Sequence, residues 1–159
     1  MNDLTELTPI QKEVISQYIK KIRDGNKIPL LGPKEISELV MNERKIKYTL
    51  QNDIQSFSKP RAYVILQELE KENILKHISR KGFELTDEGR RITNELIHRT
   101  ELLETYFYQE LGLPLDTAEK DAQNTVLEVS IELISSICDI LGQPKYCPHG
   151  YTIPHNDLN

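Results

Sequence analysis

The stretch from Ser58 to Thr86 constrains the fold of this chain more than any other. Ser58 is a hydroxyl cap and Pro60 stands at an early helical position. Val64, Ile65, Leu66 and Leu69 supply apolar positions, so the pattern predicts a helix over Lys59–Asn73. I-L-K-H-I-S, the turn Arg80-Lys81-Gly82, and F-E-L-T then read as two short strands around a tight turn. An isolated hairpin is marginal in water, so it has to be covered by neighbouring helices.

Those helices are readable on both sides. Thr8-Pro9 starts a helix whose apolar residues Val14, Ile15, Tyr18, Ile19 and Ile22 continue to the Asp24-Gly25-Asn26 stop. Gly32-Pro33 opens a second helix with Ile36, Leu39 and Val40 inside, expected to end near Asn42. Ile46, Leu50, Ile54 and Phe57 predict a further amphipathic helix within Glu43–Phe57, with Lys45, Lys47 and Gln51 outside. After the hairpin, Thr86-Asp87-Glu88-Gly89 begins a long helix with Ile92, Leu96 and Ile97 inside, reaching the Gly112 stop. A last major helix is expected from Asp116 to about Leu141, carrying Ala122, Val126, Leu127, Val129, Leu133, Ile134 and Ile137, with Cys138 also on its apolar face. The tail holds Pro144, Pro148 and Pro154 and cannot be regular helix.

This order predicts a mainly α fold: an N-terminal winged helix-turn-helix over residues 1–90, then a helical dimerisation domain with a C-terminal tail over 91–159. In that geometry the helix before the hairpin enters the major groove of double-stranded DNA. Ser58, Lys59, Pro60, Arg61, Tyr63 and Gln67 then lie at its reading end, offering a phosphate-binding cation, a guanidinium for guanine and an amide for adenine. Arg80 and Lys81 at the wing tip reach phosphates. Charge agrees: residues 1–99 carry 18 Lys and Arg against 15 Asp and Glu, and residues 100–159 carry 2 against 10. No apolar run is long enough to span a bilayer and the N-terminus lacks a signal-peptide pattern, so a cytoplasmic protein without membrane contact is expected. Two cysteines make no disulfide framework. No Ser-His-Asp triad, phosphate loop or redox C-x-x-C is present, so an enzyme is not expected.

S-K-P-R-A-Y-V-I-L-Q-E-L-E-K-E-N-I-L, F-E-L-T-D-E-G-R-R-I, L-L-E-T-Y-F-Y-Q-E-L-G-L-P and L-G-Q-P-K-Y-C-P-H-G-Y-T-I-P together resemble the diphtheria-toxin-repressor and manganese-transport-regulator family of metal-dependent transcriptional repressors. The resemblance covers most of residues 8–154, and C-P-H-G-x-x-I-P is its most specific piece. It implies a two-domain homodimer on an inverted-repeat operator, without the SH3-like third domain of some members. Glu43–Phe57 departs from the family, which usually has a short turn there.

The resemblance also implies a divalent cation between the first helix and the two C-terminal helices. Glu13 and Glu104 fall at carboxylate positions of that pattern. Thr100 falls where the family brings a His, and Gln123, Val126 and Leu127 where it brings Cys or Glu, Glu, and His. The E-x-x-E-H or C-x-x-E-H signature is missing, and Val and Leu bind no cation. The expectation is a regulator whose family metal site has been replaced by packing, with no cofactor unless Mn2+ or Fe2+ is carried over by resemblance. Two alternatives stay open: a manganese- or iron-responsive repressor with a rearranged site, or a winged-helix protein–protein adaptor. A rearranged site would draw on Glu13, His98, Glu101, Glu104, Glu119 or Glu128, or separately on Cys147 and His149 in the tail, near His155.

Overall fold

Thr8 accepts a hydrogen bond from the Gln11 amide through its hydroxyl, while the Gln11 side chain accepts from the Thr8 amide. This reciprocal cap, with Pro9 in first position, starts α1, Pro9–Arg23, whose Val14, Ile15 and Tyr18 are buried as the spacing predicts. The computed structural model describes residues 6–47 and 53–155, which divide into two compact units meeting at Thr93 and Asn94.

The first unit continues with β1, Leu30–Leu31, α2, Pro33–Lys47, and α3, Lys59–Lys71; β2, Leu75–Ile78, and β3, Gly82–Leu85, then form the hairpin. All pairing is antiparallel in the order β1-β3-β2, with Phe83 opposite both Leu31 and His77. β1 is only two residues long, too short for an alternating pattern to show in the sequence. Gly82 is required where β1 meets β3. Its φ is +126°, and a Cβ there would lie 2.8 Å from the Leu31 carbonyl carbon and oxygen. Tyr18 ties helix to sheet, donating its hydroxyl to the Phe83 carbonyl at 2.8 Å; burial pushes its pKa well above the ordinary value.

The hairpin hands the chain to α4, Asp87–Gln109. Thr86 caps the helix by accepting from the Gly89 amide, and its own amide donates to the Ile74 carbonyl. The second unit adds α5, Leu115–Thr125, and α6, Ile131–Ile140. Beyond α6 the chain folds back on itself, with Tyr146 bridged to Thr152 and the Ile153 amide donating to the Lys145 carbonyl.

Three expectations are corrected. Glu43–Phe57 holds no separate helix in its described part: α2 runs on to Lys47, Ile46 is 74% exposed, and residues 53–58 are irregular. Leu50 and Gln51 lie outside the described residues. Phe57 is buried, and its backbone bonds back onto α2: its amide donates to the Met41 sulfur at 3.1 Å and its carbonyl accepts from Ser37 at 2.6 Å. The expected last helix from Asp116 to Leu141 is two helices, because Ser130 takes extended backbone and accepts from the Leu133 amide, starting α6 anew. Finally, Cys138 is only half-buried, and Val64 and Leu133 face outward rather than inward.

Candidate nucleic-acid interface and metal-ligand cluster

Ser58 caps α3 through the Arg61 amide at 3.2 Å, which sets the direction of the first turn. Ile65, Leu66 and Leu69 bury the opposite face, so Lys59, Pro60, Arg61, Tyr63 and Gln67 are left outside, together with Val64 and Lys71. Tyr63 packs edge-on against Phe83 with ring centroids 6.3 Å apart, so its position on α3 is braced by β3. The turn between β2 and β3 is tight: Arg80 has φ +62° and the Lys81 amide donates to the Ile78 carbonyl. Arg80 and Lys81 are exposed there. Among the described residues, Lys59, Arg61, Arg80 and Lys81 make no ion pair, whereas Lys76 on the wing is paired with Glu84 at 2.9 Å. The geometry therefore offers four unneutralised cations, two at the start of α3 and two at the hairpin tip.

Several positions to which the family pattern assigns metal donors carry side chains without an ionisable group. Thr100 is buried and spends its hydroxyl on the Leu96 carbonyl at 2.7 Å. Val126 is buried, Leu127 half-buried, and Gln123 turns outward to Glu119. Glu13 is held in the first unit by both arms of the Arg44 guanidinium, at 2.8 and 2.7 Å. Arg44 also donates to the Gln55 carbonyl and lies over the Phe57 ring. The departure that the sequence showed in Glu43–Phe57 thus supplies the cation that occupies Glu13.

The donors that do converge come from α4 and the tail. Glu104, Cys147 and His149 each offer one atom within 4.8 Å of the others, and they form the one such group among the described residues. Glu104 and Cys147 are buried, and His149 lies at the solvent edge. The His149 Nδ1 contacts the Glu104 carboxylate, and its Nε2 lies 3.6 Å from Glu119 on α5. The loop is shaped for this. The Cys147 amide donates to the Tyr151 carbonyl and the Gly150 amide to the Cys147 carbonyl, with Gly150 at φ +83°, which turns His149 back toward α4. Burial pushes the Cys147 thiol up; the amides of Tyr151 and His149 pull the other way, and Glu104 and Glu101 add to the rise.

Sequence reasoning had set the helix donors and the tail donors apart as rival sites, and the structure brings Glu104 from one together with Cys147 and His149 from the other. The remaining candidates stand elsewhere. Glu101 is buried on α4, and His98 packs edge-on against His155 at 5.1 Å. Burial lowers the His98 pKa, against the pull of Glu95.

Residues 86–155 match the family described as iron dependent repressor, metal binding and dimerisation domain. That span contains Glu104, Glu119, Cys147 and His149. No curated protein sequence matches the chain. Among solved structures, a manganese-dependent transcriptional repressor in complex with manganese is 28% identical over 90% of this chain, with a TM-score of 0.67. ScaR with bound Zn2+ is 24% identical over 91%, with a TM-score of 0.69. The chain spans 59% of the length of each of these two. The hypothetical protein SSo2273 from Sulfolobus solfataricus is 20% identical, with a TM-score of 0.66, and the match covers 94% of this chain and 100% of that one.

Proposed function

From the premise that this chain belongs to the iron-dependent repressor family of transcription regulators, with the diphtheria-toxin repressor and the manganese-transport regulators, we propose that it is a cytoplasmic homodimer that binds an inverted-repeat operator on double-stranded DNA. Residues up to Thr93 act as the DNA-binding domain and those from Asn94 as the dimerisation domain. The observation that carries the reading is the exposed, unneutralised set Lys59, Arg61, Arg80 and Lys81 on one helix start and one hairpin tip.

In this reading Arg61 and Gln67 meet base edges while Lys59, Arg80 and Lys81 fix the register on phosphates. The exposed Ile131, Leu133 and Ile140 on α6 give the second unit apolar surface for a two-fold partner. In this reading metal control does not run through Thr100, Gln123, Val126 and Leu127, whose side chains carry no ionisable group.

The test is a mobility-shift titration on duplexes selected from a random-sequence pool, repeated across salt. DNA binding lowers log K by about 0.9 per log unit of salt for each phosphate neutralised, so a steep fall is expected. Absence of any selected sequence, or an affinity indifferent to salt, would overturn the reading and favour a protein-binding adaptor.

A further inference from the structure

We propose that Val64 reads the C5-methyl group of a thymine in each half of the operator and thereby specifies that base. The inference rests on the DNA-binding reading above and adds to it a contact made without a hydrogen bond. Val64, Ile65 and Leu66 are three consecutive apolar residues, but about 100° separates neighbours around a helix, so one core cannot take all three. Ile65 and Leu66 go inside with Ala62 and Leu69, and Val64 is left 42% exposed.

The place where it is left gives it a partner. Pro60, Val64, Gln67 and Lys71 follow one another at steps of four, three and four, forming an exposed stripe on the side of α3 away from its core. Val64 stands in the middle of that stripe. Arg61 and Gln67 lie three positions to either side, which is neighbouring distance on a helix surface. On its flank Tyr63 is braced against Phe83, which ties this side of the helix to the wing. A single exposed valine is ordinary on a protein surface. This one is centred among the groups offered to base edges, with Lys59 and Arg61 unneutralised at the helix start and Arg80 and Lys81 at the hairpin tip, so the surface around it suits a polyanion.

Valine has neither donor nor acceptor. In the major groove guanine N7 and O6, adenine N7 and N6, cytosine N4 and thymine O4 all call for hydrogen bonds, and the thymine methyl alone matches an apolar side chain. Opposite cytosine or a purine, Val64 would strip water from a donor or acceptor and replace it with nothing. Opposite thymine it buries a methyl group against its own two. Branching at Cβ leaves Val64 one side-chain torsion to order, so the contact costs little entropy.

The experiment takes the operator selected for the full-length protein and replaces thymine with deoxyuridine, one position at a time in both half-sites; deoxyuridine pairs as thymine does but lacks the methyl. At one position the parent should bind about 15-fold more weakly, which is about fourfold for each methyl lost. Val64→Ala, whose side chain stops at Cβ, should bind the thymine and deoxyuridine duplexes within about twofold of each other at that position. Lys81→Ala, weaker on both, should keep the parent's ratio. Alanine at an exposed helix position favours the helix, and circular dichroism checks that the variant folds. A parent that binds its operator with a steep salt dependence yet tolerates deoxyuridine at every thymine would overturn this proposal and leave the DNA-binding reading intact. So would a thymine preference that survives Val64→Ala. A chain that binds no duplex would overturn both.

Discussion

Arg44→Ala separates a structural role for Glu13 from a metal-binding one. Arg44 is 12% exposed and Glu13 36%, and both guanidinium arms are engaged. Hydrogen bonds to charged groups contribute about 1.5–3 kcal/mol when shielded, whereas exposed ion pairs contribute about 0.2–1 kcal/mol. With one partner open to water, the coupling between the two side chains is about 1 kcal/mol. The alanine variant also loses the guanidinium over Phe57, about 0.5–1 kcal/mol. The Gln55 carbonyl is exposed, so water replaces that donor at little cost.

The sum is about 2 kcal/mol. For a chain of this size about 2–4 °C accompanies each kcal/mol, so the Tm of Arg44→Ala should fall by about 4–8 °C. Arg44→Lys keeps the charge but not the two-armed geometry and should lose roughly half as much. Urea unfolding of Glu13→Gln, Arg44→Ala and the double variant gives the coupling directly. If the two single changes add within error, or if Arg44→Ala leaves Tm where it was, Glu13 is not held by Arg44 and the argument that removes it from the metal donors fails.

Arg61→Ala should cost about 1–3 kcal/mol on the selected operator and little on random DNA, while Lys81→Ala should weaken both equally and lower the salt slope by about one; competition binding distinguishes them. Gly89→Ala should destabilise, because a Cβ there would sit 2.1 Å from the Ile74 carbonyl oxygen: the overpacking cost of about 1–3 kcal/mol exceeds the roughly 0.5–1 kcal/mol that alanine gains in a helix, and a variant as stable as the parent would contradict that close approach. Burial lowers the His98 pKa, so the unfolded chain takes up the proton first; its contribution is full above pH 6.5 and is lost as pH falls below that value, and His98→Gln should flatten the urea midpoint's pH dependence there. Sedimentation at micromolar concentration should give twice the chain mass, and a clean monomer would remove the two-fold operator from the reading.

How legible these features were in the sequence depended on whether their signal was local. Thr8 with Gln11, Ser58 with Pro60, and the Arg80-Lys81-Gly82 turn are short-range devices, and each fixes an element where it was expected. The spacing of Ile46, Leu50, Ile54 and Phe57 misled because it met no stop signal. Glu43 to Lys47 are acceptable helix residues that simply prolong α2, and the burial of Phe57 against that helix then takes the place of a new one. Ser130 was overlooked for the converse reason: Val126, Val129 and Leu133 keep a helical rhythm across a turn. The Glu104–His149 contact joins residues 45 apart through the tail's return to α4, a distance that periodicity cannot express.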